Sequence, residues 1–137
     1  MKKLLYILFF MTLLGVSAQG PEARKKIEAA KIALIAERLD LSPEQAEKFW
    51  PIYREFGTKR KEIRRDFDAA RKNFDPNTAS EDENKKMLEM ATQVKEQQLK
   101  LDREYSSRIL NVITTRQLNN LRKAENDFKE MLLRRIR

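Results

Sequence analysis

The 137-residue chain contains no cysteine and no histidine, and it has only three glycines and four prolines. Without cysteine no disulfide can hold the fold, so helix or sheet packing must do so. Without histidine, the commonest metal ligand and general base of enzymes is missing. The scarcity of glycine and proline, together with a charged fraction of 36%, favours long exposed helices over a thick globular core.

The sequence also lacks the residue groupings that carry chemistry. Its carboxylates are spread at the spacing of helical ion pairs rather than gathered into an acid–base pair. It contains no nucleophile–base combination and no glycine-rich phosphate loop. Met87, Met90 and Met131 are more typical of core packing than of soft-metal binding when cysteine and histidine are absent. We therefore expect no enzymatic activity, no cofactor and no bound metal.

Only one long hydrophobic run is present, and it lies at the start of the chain. Two lysines precede the almost wholly apolar stretch Leu4–Val16, and Val16-Ser17-Ala18 fits a small-residue cleavage site. The stretch is shorter than the roughly 20 residues of a spanning helix, so a signal peptide over residues 1–18 is favoured over an uncleaved anchor. This predicts export to a periplasm, and a single domain over residues 19–137 with no stable membrane anchor.

The exported chain would be basic. Without its first 18 residues it carries 27 basic and 21 acidic side chains, a net charge of +6, and the two signs are interleaved. Export argues against nucleic acid as a partner. A basic protein of the cell envelope is better matched to unfolded polypeptide, to anionic envelope surfaces or to an acidic protein domain.

A short pattern of an aliphatic residue, a hydroxyl residue, two variable positions and a glutamine occurs twice. In each copy the hydroxyl can accept from the backbone N–H three residues on, while the glutamine reaches back to the N–H of the hydroxyl residue, which is a capping box. The pattern therefore predicts two sharp helix–helix corners in a repeated unit. Its residues are Leu41, Ser42 and Gln45 in the first copy, and Ile113, Thr114 and Gln117 in the second.

Apolar residues at steps of three and four predict an all-α fold, and no segment alternates with the period of a strand. Ser80 with Glu83 forms a further capping box, and Asp75-Pro76-Asn77-Thr78 is the clearest turn. We expect two long antiparallel helices joined at that turn, with shorter helices folded back at the two corners. The predicted helices span about 22–39, 43–73, 80–112 and 115 to the end of the chain.

Four narrow apolar stripes make a shallow core, so apolar surface should remain for a second copy or a bound polypeptide. A run of cations on the second helix has two interpretations: a solvated face with pairs such as Glu55–Lys59, or a cationic binding surface. Arg60 interrupts the apolar stripe of the second helix. Trp50 lies beside that stripe, and three roles remain open for it: core packing, a dimer contact or binding. The candidate binding residues are Trp50, Lys59, Arg60, Lys61, Arg64 and Arg65.

The two corner motifs in an exported helical chain resemble the LTxxQ-motif family, which includes Spy- and CpxP-like envelope-stress proteins. The first copy has Ser42 for threonine and the second has Ile113 for leucine. The segments 38–42 and 49–53 are similar to a Bacteroidetes branch often described as sensors of ECF-type sigma factors.

The resemblance implies a cradle-shaped antiparallel homodimer that binds unfolded or partly folded envelope proteins without ATP. It also implies two alternatives. The first is a periplasmic sensor that binds a membrane anti-sigma factor or sensor kinase, and the second is metal sensing, against which the lack of histidine counts. On the residues alone, the corner positions are most simply structural caps, and the mixed cationic and apolar face of the second helix is the better candidate for binding.

Overall fold

The computed structural model describes residues 20–136, which form four α-helices and no strand. The predicted all-α fold is therefore confirmed, whereas the predicted signal peptide lies outside the described residues. Within residues 20–136 no helix combines the length and the hydropathy needed to cross a membrane. The helices are α1 (Pro21–Leu39), α2 (Pro43–Lys72), α3 (Glu81–Ile109) and α4 (Thr115–Ile136).

The two long helices begin at the predicted serine caps. Ser42 Oγ accepts from the Gln45 N–H at 3.1 Å, and Gln45 Oε1 accepts from the Ser42 N–H at 3.1 Å. Ser80 and Glu83 form the same pair of bonds at 3.2 and 2.7 Å. Each box satisfies two backbone groups that a helix start would otherwise leave unpaired, which explains why local sequence was sufficient to place these starts.

The predicted end of the third helix at Val112 is wrong, because α3 ends at Ile109. Residues 110–113 form a turn in which the N–H groups of Val112 and Ile113 both donate to the carbonyl of Ile109, at 2.8 and 2.9 Å. Ile113 is buried and Val112 packs on the core. Their apolar side chains extend the helical pattern through a segment that has already left the helix.

The helices pack as two pairs, α2 with α3 and α1 with α4. The α2–α3 connection is the predicted turn at Asp75, whose side chain accepts from the Asn77 N–H at 2.9 Å and whose carbonyl accepts from the Thr78 N–H at 3.2 Å. The α1–α2 corner turns at Asp40, which adopts a left-handed conformation with φ 46°. Asparagine and aspartate tolerate this conformation better than other side chains.

The hydrophobic core lies at the end of the molecule where the two corners meet. Every helix contributes to it within a few turns of a corner, and Ile35, Phe49 and Ala124 are fully buried. The buried members of this cluster are Ile35, Leu39, Phe49, Tyr53, Ile109, Ile113, Leu118, Leu121 and Ala124.

Away from the corners the α2–α3 pair has no core. No residue from 54 to 100 is buried, although half-buried apolar side chains such as Ile63, Phe67 and Val94 line the seam between the two helices. We call this segment, residues 54–100, the distal arm. Its helices are held by a narrow seam and by the turn, so it presents far more accessible surface than the corner end does.

Candidate functional site

The two motif glutamines do more than cap their own helices, since they bind each other. Gln45 Nε2 donates to Gln117 Oε1 at 2.9 Å, and Gln117 Nε2 donates to Gln45 Oε1 at 3.1 Å. Each amide also reaches the opposite corner: Gln117 donates to the Leu39 carbonyl at 3.2 Å, and Gln45 donates to the Val112 carbonyl at 3.3 Å. Both side chains are half-buried.

The second motif copy also closes its capping box. Thr114 Oγ1 accepts from the Gln117 N–H at 3.1 Å, and Gln117 Oε1 accepts from the Thr114 N–H at 2.9 Å. Leu41 and Ile113 pack on or within the core. The motif residues thus build and join the corners, and the hydrogen-bonding groups of both glutamine side chains are engaged within the molecule.

A groove of about 670 Å³ runs along α2, bounded by the α1–α4 pair. Three of the predicted binding residues, Arg60, Lys61 and Arg64, line it. The rest of the lining comes from α2 itself and from its two neighbours α1 and α4. These residues are Glu28 and Lys31 of α1, Tyr53, Arg54, Phe56, Gly57, Thr58 and Asp68 of α2, and Glu125 of α4.

The groove is cationic, with five basic and three acidic side chains in its lining. Two of the acids are already engaged: Asp68 lies 3.4 Å from the Arg64 guanidinium, and Glu125 accepts from the hydroxyl of Tyr53 at 2.9 Å. Within residues 20–136 the other four cations make no salt bridge. They are Lys31, Arg54, Arg60 and Lys61.

Two aromatic rings of the groove each lie beside one of these cations. The Arg60 guanidinium lies 5.3 Å from the centre of the Phe56 ring, and Lys31 Nζ lies 5.4 Å from the centre of the Tyr53 ring. Both distances are those of cation–π contacts. Burial and the Glu125 carboxylate raise the pKa of the Tyr53 phenol well above its ordinary value, so Tyr53 remains a neutral hydrogen-bond donor.

Gly57 lies in the groove at a position where the fold does not need a glycine. It has an ordinary helical conformation, and a Cβ added there would meet no atom within 4 Å. Glycine in a helix interior costs about 1 kcal/mol relative to alanine. The missing side chain therefore leaves α2 bare at the groove without relieving any close contact.

The other predicted binding residues lie elsewhere. Trp50 is half-buried on the core, with its ring edge-on to Phe49 at 4.9 Å and to Tyr53 at 5.8 Å. Arg65 is exposed and lies 3.0 Å from Asp66. Lys59 lies 3.4 Å from Glu55 on the side of α2 that faces α3. The structure thus separates the basic run into three groove residues and two that point away from it.

Glu55 joins α2 to α3 through a charged contact beside Tyr105. Its carboxylate accepts from Arg108 at 3.0 Å, and the Arg108 guanidinium lies 4.8 Å from the centre of the Tyr105 ring. The hydrogen bond from Arg108 is the main cause that lowers the pKa of Glu55 to about 2, and the Tyr105 hydroxyl, the charge of Arg108 and the Lys59 ammonium act in the same direction. This contact therefore persists in acid that protonates ordinary carboxylates.

The contact gives a pH-dependent contribution to stability with a defined sign. Because the pKa of Glu55 is lower in the folded state, its stabilising effect is complete above the unfolded value of 4.5 and is lost as pH falls towards about 2. We expect Glu55→Gln to make the urea midpoint of unfolding depend less steeply on pH between about 2 and 4.5. Above that range, the pH dependence of the variant should match that of the wild type. Urea titrations across that range test this. Glu62→Gln, an exposed change of the same kind on α2, is the control, and an equal flattening there would refute the assignment.

A second recess of about 500 Å³ lies at the turn of the distal arm. Half of its lining residues are apolar, and Ala70, Phe74, Met87 and Met90 are among them. It contains fewer cations than the groove and is far from it along α2. It extends the apolar seam of the arm to the surface.

Sequence reasoning missed the groove residues Lys31 and Arg54. Arg54 belongs to the same helix as the predicted residues, but its charge looked like one of many on a solvated face. Lys31 comes from α1, and its position next to Tyr53 depends on the packing of α1 against the corner. Gly57 was the available signal, because a glycine within a long helical pattern requires an explanation.

Comparison with known proteins finds no matching family model, no matching curated protein and no matching solved structure. The similarity to the LTxxQ-motif family therefore remains a prediction from the motif residues. Among residues 20–136, no three carboxylate, histidine or cysteine side chains are grouped so as to hold a metal ion.

Proposed function

We propose that this protein is an ATP-independent chaperone of the bacterial periplasm that captures partly unfolded polypeptides in the groove and along the distal arm. The observation that carries the proposal is the groove itself, in which four cations make no salt bridge within residues 20–136 and the Phe56 ring is only half-buried. A surface that is cationic and apolar together is suited to unfolded chains, which expose backbone carbonyls, carboxylates and apolar side chains at once.

The arrangement of charge and apolar surface supports capture in two steps. The groove cations attract acidic segments over a distance of about 10 Å at ordinary ionic strength. The half-buried ring of Phe56 then offers apolar contact. Because Arg60 already lies over this ring, an incoming side chain must displace or share a cation, which keeps each contact weak. Weak contacts allow a bound polypeptide to continue folding.

The seam of the distal arm supports the homodimer as part of the same proposal. Its apolar side chains are only half-covered by the α2–α3 contact, and Leu88 and Leu99 are 71% and 52% exposed. A second copy lying antiparallel along the arm would cover part of this surface and place two grooves in one cradle.

Filling the groove is the sharpest test of the proposal. Gly57→Glu places a carboxylate three residues before Arg60 and four residues before Lys61. At this spacing it pairs with both cations, and it occupies space that is now empty. We expect the variant to fold at least as stably as the wild type and to suppress aggregation of a denatured reference protein about fivefold less well, which corresponds to about 1 kcal/mol of binding. The measurement is light scattering at increasing ratios of chaperone to reference protein.

Two matched variants separate the effects of charge, space and helix stability. Asn119→Glu adds the same charge at an exposed position of α4, outside both the groove and the distal arm, and should suppress aggregation normally. Gly57→Ala should raise the free energy of unfolding by about 1 kcal/mol and should still suppress aggregation. An unimpaired Gly57→Glu variant would exclude the groove as the capture surface. If the wild type suppressed no aggregation with any of several denatured proteins but bound one partner saturably in a pull-down, the sensor role would replace the chaperone role.

A further inference from the structure

The excess positive charge of the exported chain is concentrated at one end of the molecule. Residues 21–31 carry four basic and two acidic side chains, and residues 129–137 carry four basic and one acidic. These segments together account for +5 of the net charge of +6. The 97 residues between them carry 19 basic and 18 acidic side chains.

The packing of α1 against α4 brings these two segments together. At the corner, the Leu39 carbonyl accepts from Gln117. Further along, the Arg38 guanidinium lies 3.4 Å from Asp127, and Lys31 and Glu125 both contact Tyr53. Because α1 ends at the corner where α4 begins, the two helices run side by side in opposite directions, and the start of α1 lies on the same side as the end of α4. We call residues 21–31 and 129–136 the open end of the α1–α4 pair.

The open end also exposes large apolar side chains. Ile136 and Leu133 are 82% and 54% exposed, and Met131 and Ile27 are 46% and 42% exposed. Arg134 and Arg135 lie directly between Leu133 and Ile136 and are exposed as well. Cations and apolar side chains are therefore interspersed in one small region, instead of the apolar residues forming a recess with a charged rim.

We propose that the open end of the α1–α4 pair docks onto an anionic phospholipid surface. At a bilayer surface, apolar side chains enter the interface while arginines extend to the lipid phosphates, so an interspersed pattern is satisfied without a shaped partner. Each cation near an anionic membrane strengthens attachment. A folded acidic partner would instead need to bury both kinds of side chain in a complementary cavity.

The position of the apolar leader in the sequence points to the same partner. Only three residues separate the end of the run Leu4–Val16 from Gly20, where the described structure begins. Even fully extended, so short a connection spans roughly 14 Å. While the leader is within a membrane, the open end is therefore the part of the fold closest to the lipid.

Vesicle co-sedimentation of residues 19–137 tests the proposal, since all four helices and the core lie within residues 20–136. We expect binding to vesicles containing about one-third phosphatidylglycerol, loss of binding in high salt, and no binding to pure phosphatidylcholine. Arg134→Gln with Arg135→Gln should weaken binding roughly fivefold per arginine. Leu133→Ser with Ile136→Ser should weaken it about tenfold.

Matched changes on α3 provide the controls. Lys100→Gln with Arg103→Gln removes two exposed cations, and Leu88→Ser with Leu99→Ser removes two exposed leucines. Both should bind vesicles like the wild type.

The proposal is overturned if anionic vesicles are not bound, if neutral vesicles are bound equally well, or if the α3 variants lose as much binding as the open-end variants. Binding of soluble polyglutamate through Arg134 and Arg135 without vesicle binding would assign the open end to an acidic protein. Aggregation suppression, which depends on the groove, is measured separately and is expected to be normal in the open-end variants.

Discussion

Replacing Phe49 with alanine is expected to lower the free energy of unfolding by about 3–5 kcal/mol. Phe49 is fully buried at the corner end and contacts both Trp50 and Tyr53, with ring centres 4.9 and 5.5 Å away. Alanine leaves a cavity among side chains from several helices, and these cannot close it without moving a corner. A small domain has only about 5–15 kcal/mol of stability, so the variant should be extensively unfolded at elevated temperature. Urea denaturation followed by circular dichroism gives the value.

Phe67→Ala is the matched control, because it makes the same chemical change in the distal arm. Phe67 is only half-buried, and the arm has no buried residue around it, so the cost should be about 1 kcal/mol. The comparison tests whether the corner end alone holds the fold. Equal costs for the two variants would contradict a corner-only core, and a dependence of the Phe67→Ala midpoint on protein concentration would show that a second copy covers the arm.

Gln117→Ala is expected to cost about 2–4 kcal/mol, far more than a surface glutamine. The change removes the hydrogen bonds to Gln45, to the Leu39 carbonyl and to the Thr114 N–H. Partly buried groups on both corners then lose their partners, and each unsatisfied group costs about 1–3 kcal/mol when it is shielded from water. Equilibrium unfolding in urea measures the loss.

A double-mutant cycle with Gln45→Ala separates the bond between the corners from the two caps. If the glutamines act as a pair, the double variant should be about 1–2 kcal/mol more stable than the sum of the single changes predicts. Gln97→Ala, at an exposed position of α3, should change stability by no more than about 0.5 kcal/mol. Additive single changes would mean that each glutamine only caps its own helix.

The helix starts were predictable from the sequence because each capping box is a local structure. Ser42 with Gln45 and Ser80 with Glu83 interact over three residues, and the geometry of one turn of helix suffices to identify them. The end of α3 was not predictable in the same way. Val112 and Ile113 are apolar because they pack in the core, and their spacing continues the helical pattern although they lie beyond the helix.

The bond between Gln45 and Gln117 could not be read from the sequence, since it joins residues 72 positions apart. The same limit applies to the groove. The cations on α2 were visible, but helical phase alone did not show that Arg60, Lys61 and Arg64 would share a groove while Arg65 would point away. That separation depends on where α1 and α4 lie, and their placement depends in turn on the corners.

The absence of a core in the distal arm leaves its length free to change. The corners fix the positions of all four helix ends near the core, and nothing beyond residue 54 on α2 or before residue 100 on α3 is buried. Removing seven residues from each helix takes out two turns on both sides, shortens the arm by roughly 10 Å and preserves the phase of the seam. The reach of the arm is therefore a dimension that insertions and deletions can alter in matched pairs, while the corner end retains the same architecture.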